Sequence, residues 1–308
     1  MTIIPNPATP DDLSAAFQGE YDAIRQAVAS GKPRGPITGF PELDKQLGGY
    51  LIPGIHTFLA APGAGKTAYC TQIGAQCRCP CLYVTAEMRP VEIYRRCVAR
   101  VTSTDIGDLR SGLLSAQKIA ELSRRTNAAM PQFVIHDATS RNPMNPKATN
   151  SPKPYTKEAL AIAATNLKEA HDTNHILIVL DSFTGFVNKN NVSGENEYAI
   201  TETVLGEIEE LAFDLMCPII AIVHRHRDGN KKTGENQLFS GKASGRIEYV
   251  SESLWIIEKV NELTANGAFK RELTLHKNRN GAGDVTIEYG FTGRHQSFEE
   301  GLIKASLK

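Results

Sequence analysis

The 308-residue sequence predicts an α/β domain, a doubly wound, mostly parallel sheet with an antiparallel hairpin toward its C-terminus. Three observations lead there. Short β-rich runs alternate with helical stretches from His56 onward: "HTFLAA", "CLYVTAE", "QFVIHD", "HILIVLDS", "PIIAIVH" and "SLWIIEKV". These runs are apolar almost without interruption, the pattern of strands covered on both faces. A glycine-rich turn follows the first run and leads into a helical stretch.

From the N-terminus, "MTIIPNPATP" is proline-rich and without periodicity. "DDLSAAFQGEYDAIRQAVAS" then places Leu13, Phe17, Tyr21, Ile24 and Val28 at spacings of three and four, one apolar face of a helix. Thr9 supplies a capping oxygen, Pro10 suits the first helical position, and Asp11 and Asp12 meet the positive helix end, so the helix starts there. "GKPRGPITGFPE" reads as a linker. The chain therefore divides into 1–34, a tail, an amphipathic helix and a linker, and 35–308, the main domain. The apolar stripe needs cover, from its own domain or from a neighbouring subunit. Between Thr139 and Thr156, "TSRNPMNPKATNSPKPYT" lacks periodicity and reads as a surface insertion. After the last parallel run, "KRELTLHKNRN" and "DVTIEYGFTG", joined by "GAG", form the hairpin that extends the sheet.

Lys and Arg total 34 and Asp and Glu total 34, so no global field announces a nucleic acid or a membrane, and any such contact is local. No apolar run is long enough to span a bilayer. The six cysteines, Cys70, Cys77, Cys79, Cys81, Cys97 and Cys217, have no secretory signal upstream, which suits a reduced, cytoplasmic protein with buried thiols. Cys77, Cys79 and Cys81 lack the paired C-x2-C spacing of a metal site.

The chemistry concentrates in "AAPGAGKT", residues 60–67. A phosphate-binding loop needs a strand before it, glycines that let N–H groups turn inward, a lysine for the outer phosphates, a hydroxyl for Mg2+ and a helix after it. Gly63 and Gly65 shape the turn, and Lys66 and Thr67 supply the cation and hydroxyl. Pro62, Gly63, Ala64, Gly65, Lys66, Thr67 and Ala68 form the cradle for ATP. The pattern has glycine where this chain has Ala60, but at a strand end alanine holds extended angles equally well. Hydrolysis further requires a metal-side acid and a base for the attacking water. Asp181 closes "ILIVLD" as the Mg2+-side acid beside Thr67, and Glu87 in "LYVTAEM" is the general base, at the carboxyl ends of strands where ligands collect. His224 closes "PIIAIVH" at the same edge, to sense the γ-phosphate or to hydrogen-bond locally.

The order of these motifs resembles the RecA-type motor domain of DnaB-like replicative helicases, over roughly Gly35 to Phe298. The resemblance rests on "TGFPELDKQLGGYLIPGIHTFLAAPGAGKT", on "VTAEMRPVEIYRR" with Glu87, on "LIVLDSFTGF" with Asp181, and on "ITETVLGEIEELAFDLMCPIIAIVHRHR". It implies a RecA-like P-loop NTPase, an ATP- and Mg2+-dependent helicase or translocase on single-stranded DNA. The family usually has glutamine where this chain has His224; related plasmid-type hexameric helicases use histidine, so the subfamily stays open. "LHKNRNG" resembles the segment whose lysine and arginine, here Lys277 and Arg279, reach into the neighbouring subunit's nucleotide. On a strand the two alternate onto one face.

That role implies self-association into a ring, a hexamer, and tilts the N-terminal stripe toward docking on the neighbour. By analogy "NKNNVSGENEY" and "RDGNKKTGENQLFSGKASGR" face the ring centre, where Arg227, Lys231, Lys232, Lys242 and Arg246 suit contact with a DNA backbone. A loader or primase is the further partner implied. The segment before Gly35 is too short for the family's N-terminal collar, so the expectation is a motor core with one leading helix. The second reading is a RecA- or KaiC-like regulatory or recombination ATPase that assembles on DNA or protein without unwinding.

Overall fold

In chain order the computed structural model runs α1 (Pro10–Ser30), α2 (Pro41–Gln46), β1 (Gly54–Ala60), α3 (Lys66–Gln76), β2 (Cys81–Thr85), α4 (Pro90–Thr102), α5 (Asp108–Ser111), α6 (Ala116–Ala129), β3 (Phe133–Asp137) and α7 (Lys157–Ala170). It continues with β4 (Leu177–Asp181), α8 (Phe183–Asn190), α9 (Glu197–Asp214), β5 (Pro218–His224), α10 (Ala243–Val250), β6 (Ser253–Leu263), β7 (Phe269–Asn278), β8 (Val285–Thr292) and β9 (Ser297–Lys304). The structure describes residues 9–31, 34–139, 153–190, 197–224 and 243–304. Most of the proline-rich insertion and part of each proposed DNA loop lie outside them.

The helix α1 begins where its capping residues dictate. Thr9 Oγ1 accepts from Asp12 N at 3.2 Å while Asp12 Oδ2 accepts from Thr9 N at 2.9 Å, a reciprocal capping box with Pro10 at the first helical position. Its apolar stripe stays open: Leu13, Phe17, Tyr21 and Val28 are 54–75% exposed. Among the described residues, no helix is long and apolar enough to cross a membrane.

One nine-stranded sheet carries the domain, in the order β3-β2-β4-β5-β1-β6-β7-β8-β9. The six apolar runs pair in parallel from β3 to β6. Alternate side chains feed two cores, as a period of two requires. Phe58, Tyr83 and Val179 point into one with Tyr69 of α3; Leu59, Leu82 and Leu180 point into the other with Leu160 of α7 and Ile208 of α9. Each fully buried side chain of this size contributes about 1.5–3 kcal/mol, which explains why such runs cannot face water. All six cysteines are buried and free.

The antiparallel part is larger than the single hairpin the sequence suggests. β6 is parallel to β1 but antiparallel to β7, and β9 adds a further antiparallel strand beyond β8. The β9 segment, "SFEEGLIK", hides from pattern reading because two acids and a glycine break its apolar run. Its place is set by long-range contacts: Phe298 packs edge-on against Tyr69 and stacks on Phe291, and its backbone exchanges hydrogen bonds with the Gln72 side chain of α3. The helix that follows the glycine-rich turn is thereby fixed from both ends of the chain. Glu300 of β9 also accepts from Glu42 N and Leu43 N at the start of α2.

Candidate active site

Ala60 is the last residue of β1 and pairs with His224 at the end of β5, so alanine is accommodated in extended backbone. The chain then turns through residues 61–65 into α3. Gly63 and Gly65 take φ of 72° and 100°, the left-handed region where a side chain is strained. A Cβ on Gly65 would also fall 2.7 Å from Phe298 Cζ. Gly65 caps α3 without any side-chain hydrogen bond, whereas α1, α6 and α7 are capped by Thr9, Ser115 and Thr156. The N–H groups of Lys66, Thr67 and Ala68 thus open onto the loop at the positive end of the helix dipole, which suits a phosphate. Pro62 and Gly63 are exposed at the apex, and Ala64 is buried against an unforeseen brace: Arg271 Nε donates to Ala64 O at 3.1 Å. Arg271 is itself buried, its guanidinium lying 5.4 Å from the Phe291 ring centre.

Parallel strands deliver their carboxyl ends to one edge, and this gathers the predicted side chains. Thr85, the last residue of β2, pairs with Asp181, the last of β4, and Glu87 follows two residues on. Asp181 is buried; its Oδ2 accepts from Tyr83 Oη at 2.6 Å, and the Thr67 hydroxyl also donates to it. Burial raises the Asp181 pKa against these two donors. A desolvated carboxylate facing a hydroxyl at the mouth of the loop fits a divalent cation bound through both.

Lys66 Nζ donates to His224 Nδ1, and His224 Nε2 lies 2.9 Å from Glu87 Oε1. Since the ammonium only donates, the network assigns the imidazole proton to Nε2, which donates to Glu87. Burial lowers the Lys66 pKa, opposed by the charges of Asp181 and Glu87. The His224 hydrogen bond leads in holding the Glu87 pKa down at about 2; burial works the other way, while the Ser182 hydroxyl and the Lys66 charge add to the lowering. Glu87 is therefore ionised near neutrality, as a proton acceptor must be. Without phosphate, the histidine links the loop lysine to the acid.

The other predicted residues fall elsewhere. Lys277 pairs with Leu254, which in turn pairs with Thr57 within β1, while the loop leaves the far end of β1; one chain does not bring Lys277 and Arg279 to its own loop. β7 ends at Asn278, so Arg279 lies beyond the strand rather than alternating along it. Both cations instead reach the C-terminal end of α10: Lys277 Nζ donates to Glu248 O and Tyr249 O at 2.7 and 2.8 Å, and Arg279 Nη2 to Tyr249 O at 2.9 Å. Arg246 is tied to Glu202 and Glu209 of α9 at 2.8 and 3.4 Å. Arg227, Lys231, Lys232 and Lys242 lie outside the described residues. Sequence reading also missed Tyr83, Ser182 and Arg271. Only Ser182 carried a local signal, its position directly after Asp181.

A family model described as the DnaB-like helicase C terminal domain matches residues 35–300. Among solved structures, the ATPase domain of a DnaB-like helicase superposes with a TM-score of 0.71 at 16% identity, covering 93% of this chain and 97% of that one. A DnaB-like replicative helicase, solved in a study of its interactions with primase, gives 0.68 at 16% identity, with 96% and 68% covered. A KaiC-like protein from the hyperthermophilic archaeon Pyrococcus horikoshii gives 0.53 at 15%, with 87% and 99% covered. At such identities these structures share the fold.

Proposed function

The chain belongs to the DnaB-like helicase C-terminal domain family, and on that premise we propose that it is an ATP-hydrolysing motor that moves along or unwinds single-stranded DNA. The observation that carries this reading is the convergence of Lys66, Thr67, Asp181, Glu87 and His224 on the uncapped start of α3. Lys66 turns from His224 to the outer phosphates of ATP. Mg2+, when bound by the Thr67 hydroxyl and, through water, by Asp181, neutralises charge on those phosphates. Glu87 takes the proton of the attacking water. His224, hydrogen-bonded to both Lys66 and Glu87, reports the arrival of phosphate at one to the other.

The reading extends to assembly. Lys277 and Arg279 lie away from their own loop, so they serve a neighbouring protomer's nucleotide, and hydrolysis requires a head-to-tail ring, a hexamer. The uncovered stripe of α1 packs on that neighbour. Arg227, Lys231, Lys232 and Lys242 track the DNA backbone, joined by Arg246 once it leaves its two glutamates, and a loader or primase meets the ring. The fold shared with a KaiC-like protein keeps one alternative open: an ATPase that assembles on DNA or protein without unwinding.

The test is ATP turnover against protein concentration, with and without single-stranded DNA, followed by strand displacement on a forked duplex. Turnover per protomer that climbs with concentration and is stimulated by DNA is the expected result. Turnover per protomer indifferent to both would overturn the motor reading, and stimulation without displacement would favour the KaiC-like alternative.

A further inference from the structure

Glu87 has to be aimed, and its own segment fixes only its backbone. Thr85 Oγ1 donates to Met88 O at 2.6 Å and accepts from Met88 N at 3.3 Å, and Ala86 N donates to Asp181 O at 2.8 Å. The Glu87 side chain leaves this turn 41% exposed. Two groups hold its carboxylate, His224 Nε2 and the Ser182 hydroxyl, both on Oε1. Among the described residues, no hydrogen bond reaches Oε2.

Of the two holders, Ser182 is the one built into the fold. It is wholly buried, directly after β4, and its Oγ accepts from Gly185 N at 3.0 Å while its carbonyl accepts from Phe186 N at 2.9 Å. That is an N-cap on α8, and it occupies the hydroxyl as an acceptor, which leaves the proton to donate to Glu87. Gly185 makes the room. A Cβ there would lie 2.8 Å from Glu87 Cγ and 3.1 Å from Oε1. The first turn of α8 is thus a seat for the carboxylate, with a hydroxyl on one side and a missing side chain on the other.

We propose that Ser182, with Gly185 clearing the space, is the positioning residue that holds Glu87 Oε1 and leaves Oε2 facing the attacking water. This rests on Glu87 being the general base. The hold by His224 changes when Lys66 turns to phosphate, because Lys66 is bonded to the same ring. The hold by Ser182 does not, because its cap bond is internal to α8.

The test compares Ser182→Ala, Ser182→Thr and Gly185→Ala with Glu87→Gln, reading kcat, the KM for ATP and binding of a fluorescent ATP analogue. A hydrogen bond to a charged group supports a loss of about tenfold to a hundredfold in kcat for Ser182→Ala. KM and analogue binding should stay within about twofold, and Ser182→Thr should restore most of the lost turnover. Gly185→Ala, which keeps the hydroxyl but displaces the carboxylate, should lower kcat in the same selective way, and it decides the matter if Ser182→Ala does not fold. Normal kcat in Ser182→Ala, or in Gly185→Ala where that variant decides, would overturn the positioning role while an inactive Glu87→Gln left the base in place. A kcat loss that Ser182→Thr fails to relieve would overturn it as well. Normal turnover in Glu87→Gln would overturn the base and the positioning role together.

Discussion

Replacing Arg279 with alanine separates the two jobs assigned to that side chain, because their magnitudes differ widely. Within its own chain Arg279 closes α10, with Nη2 on Tyr249 O at 2.9 Å and Nη1 3.8 Å from Glu252 Oε1, and the side chain is 47% exposed. A cation at an exposed helix C-terminus contributes about 0.3–1 kcal/mol, and an exposed ion pair at most about 1 kcal/mol. Lys277 reaches the same Tyr249 carbonyl at 2.8 Å and keeps part of that cap. The stability loss is therefore about 1 kcal/mol, or a Tm change of roughly 2–4 °C. A charge supplied in trans to phosphoryl transfer raises kcat by about 10³–10⁵, some 4–7 kcal/mol of barrier. Thermal unfolding, nucleotide titration and phosphate release on one preparation read both effects. Arg279→Ala should melt within a few degrees of wild type, bind ATP normally and lose kcat by about a thousandfold or more. Mixing it with Glu87→Gln protein should restore part of the turnover, since each variant lacks a different side of the shared site. A kcat within about tenfold of wild type, in protein that binds nucleotide, would refute the trans role.

Lys66→Ala should weaken ATP binding by about tenfold to a hundredfold, the value of a charge-assisted hydrogen bond, and bring turnover to background; calorimetric titration with unchanged affinity would contradict the loop assignment. His56, buried between Ser253 Oγ at 2.7 Å and Ile52 O at 2.9 Å, has its pKa held down to about 4 by burial. Between pH 4 and the ordinary value of about 6.5 the unfolded chain binds a proton that the folded chain refuses, so stability rises with pH there. About 3 kcal/mol is lost as pH falls through that window, and His56→Gln should flatten the slope in urea unfolding; identical slopes would exclude a neutral buried imidazole. Replacing Lys231 and Lys232 together should lower the slope of log affinity against log salt for single-stranded DNA by about 1.4, at about 0.7 per phosphate contact. An unchanged slope would remove both lysines from the DNA contact.

Features that depend on neighbours along the chain are legible in the sequence. Thr9, Pro10 and Asp12 specify the start of α1 because a cap is a bond across three residues. Gly63 and Gly65 specify the loop because only glycine is unstrained at such φ values. The unbroken apolar runs specify parallel strands, and parallel strands end on one edge, which is why Glu87, Asp181 and His224 can be read as partners of Lys66 from their positions at the ends of those runs. Contacts that cross the chain come only with the packed domain: β9 gripping Gln72 across 226 residues, Arg271 bracing Ala64 across 207, and Tyr83 holding Asp181 across 98. The same packing closes α10 with Lys277 and Arg279 of its own chain and ties Arg246 to two glutamates. No periodicity or capping rule links residues so far apart. Which cation meets which acceptor is set by how strands of distant sequence are laid side by side, and that follows from packing the whole domain at once.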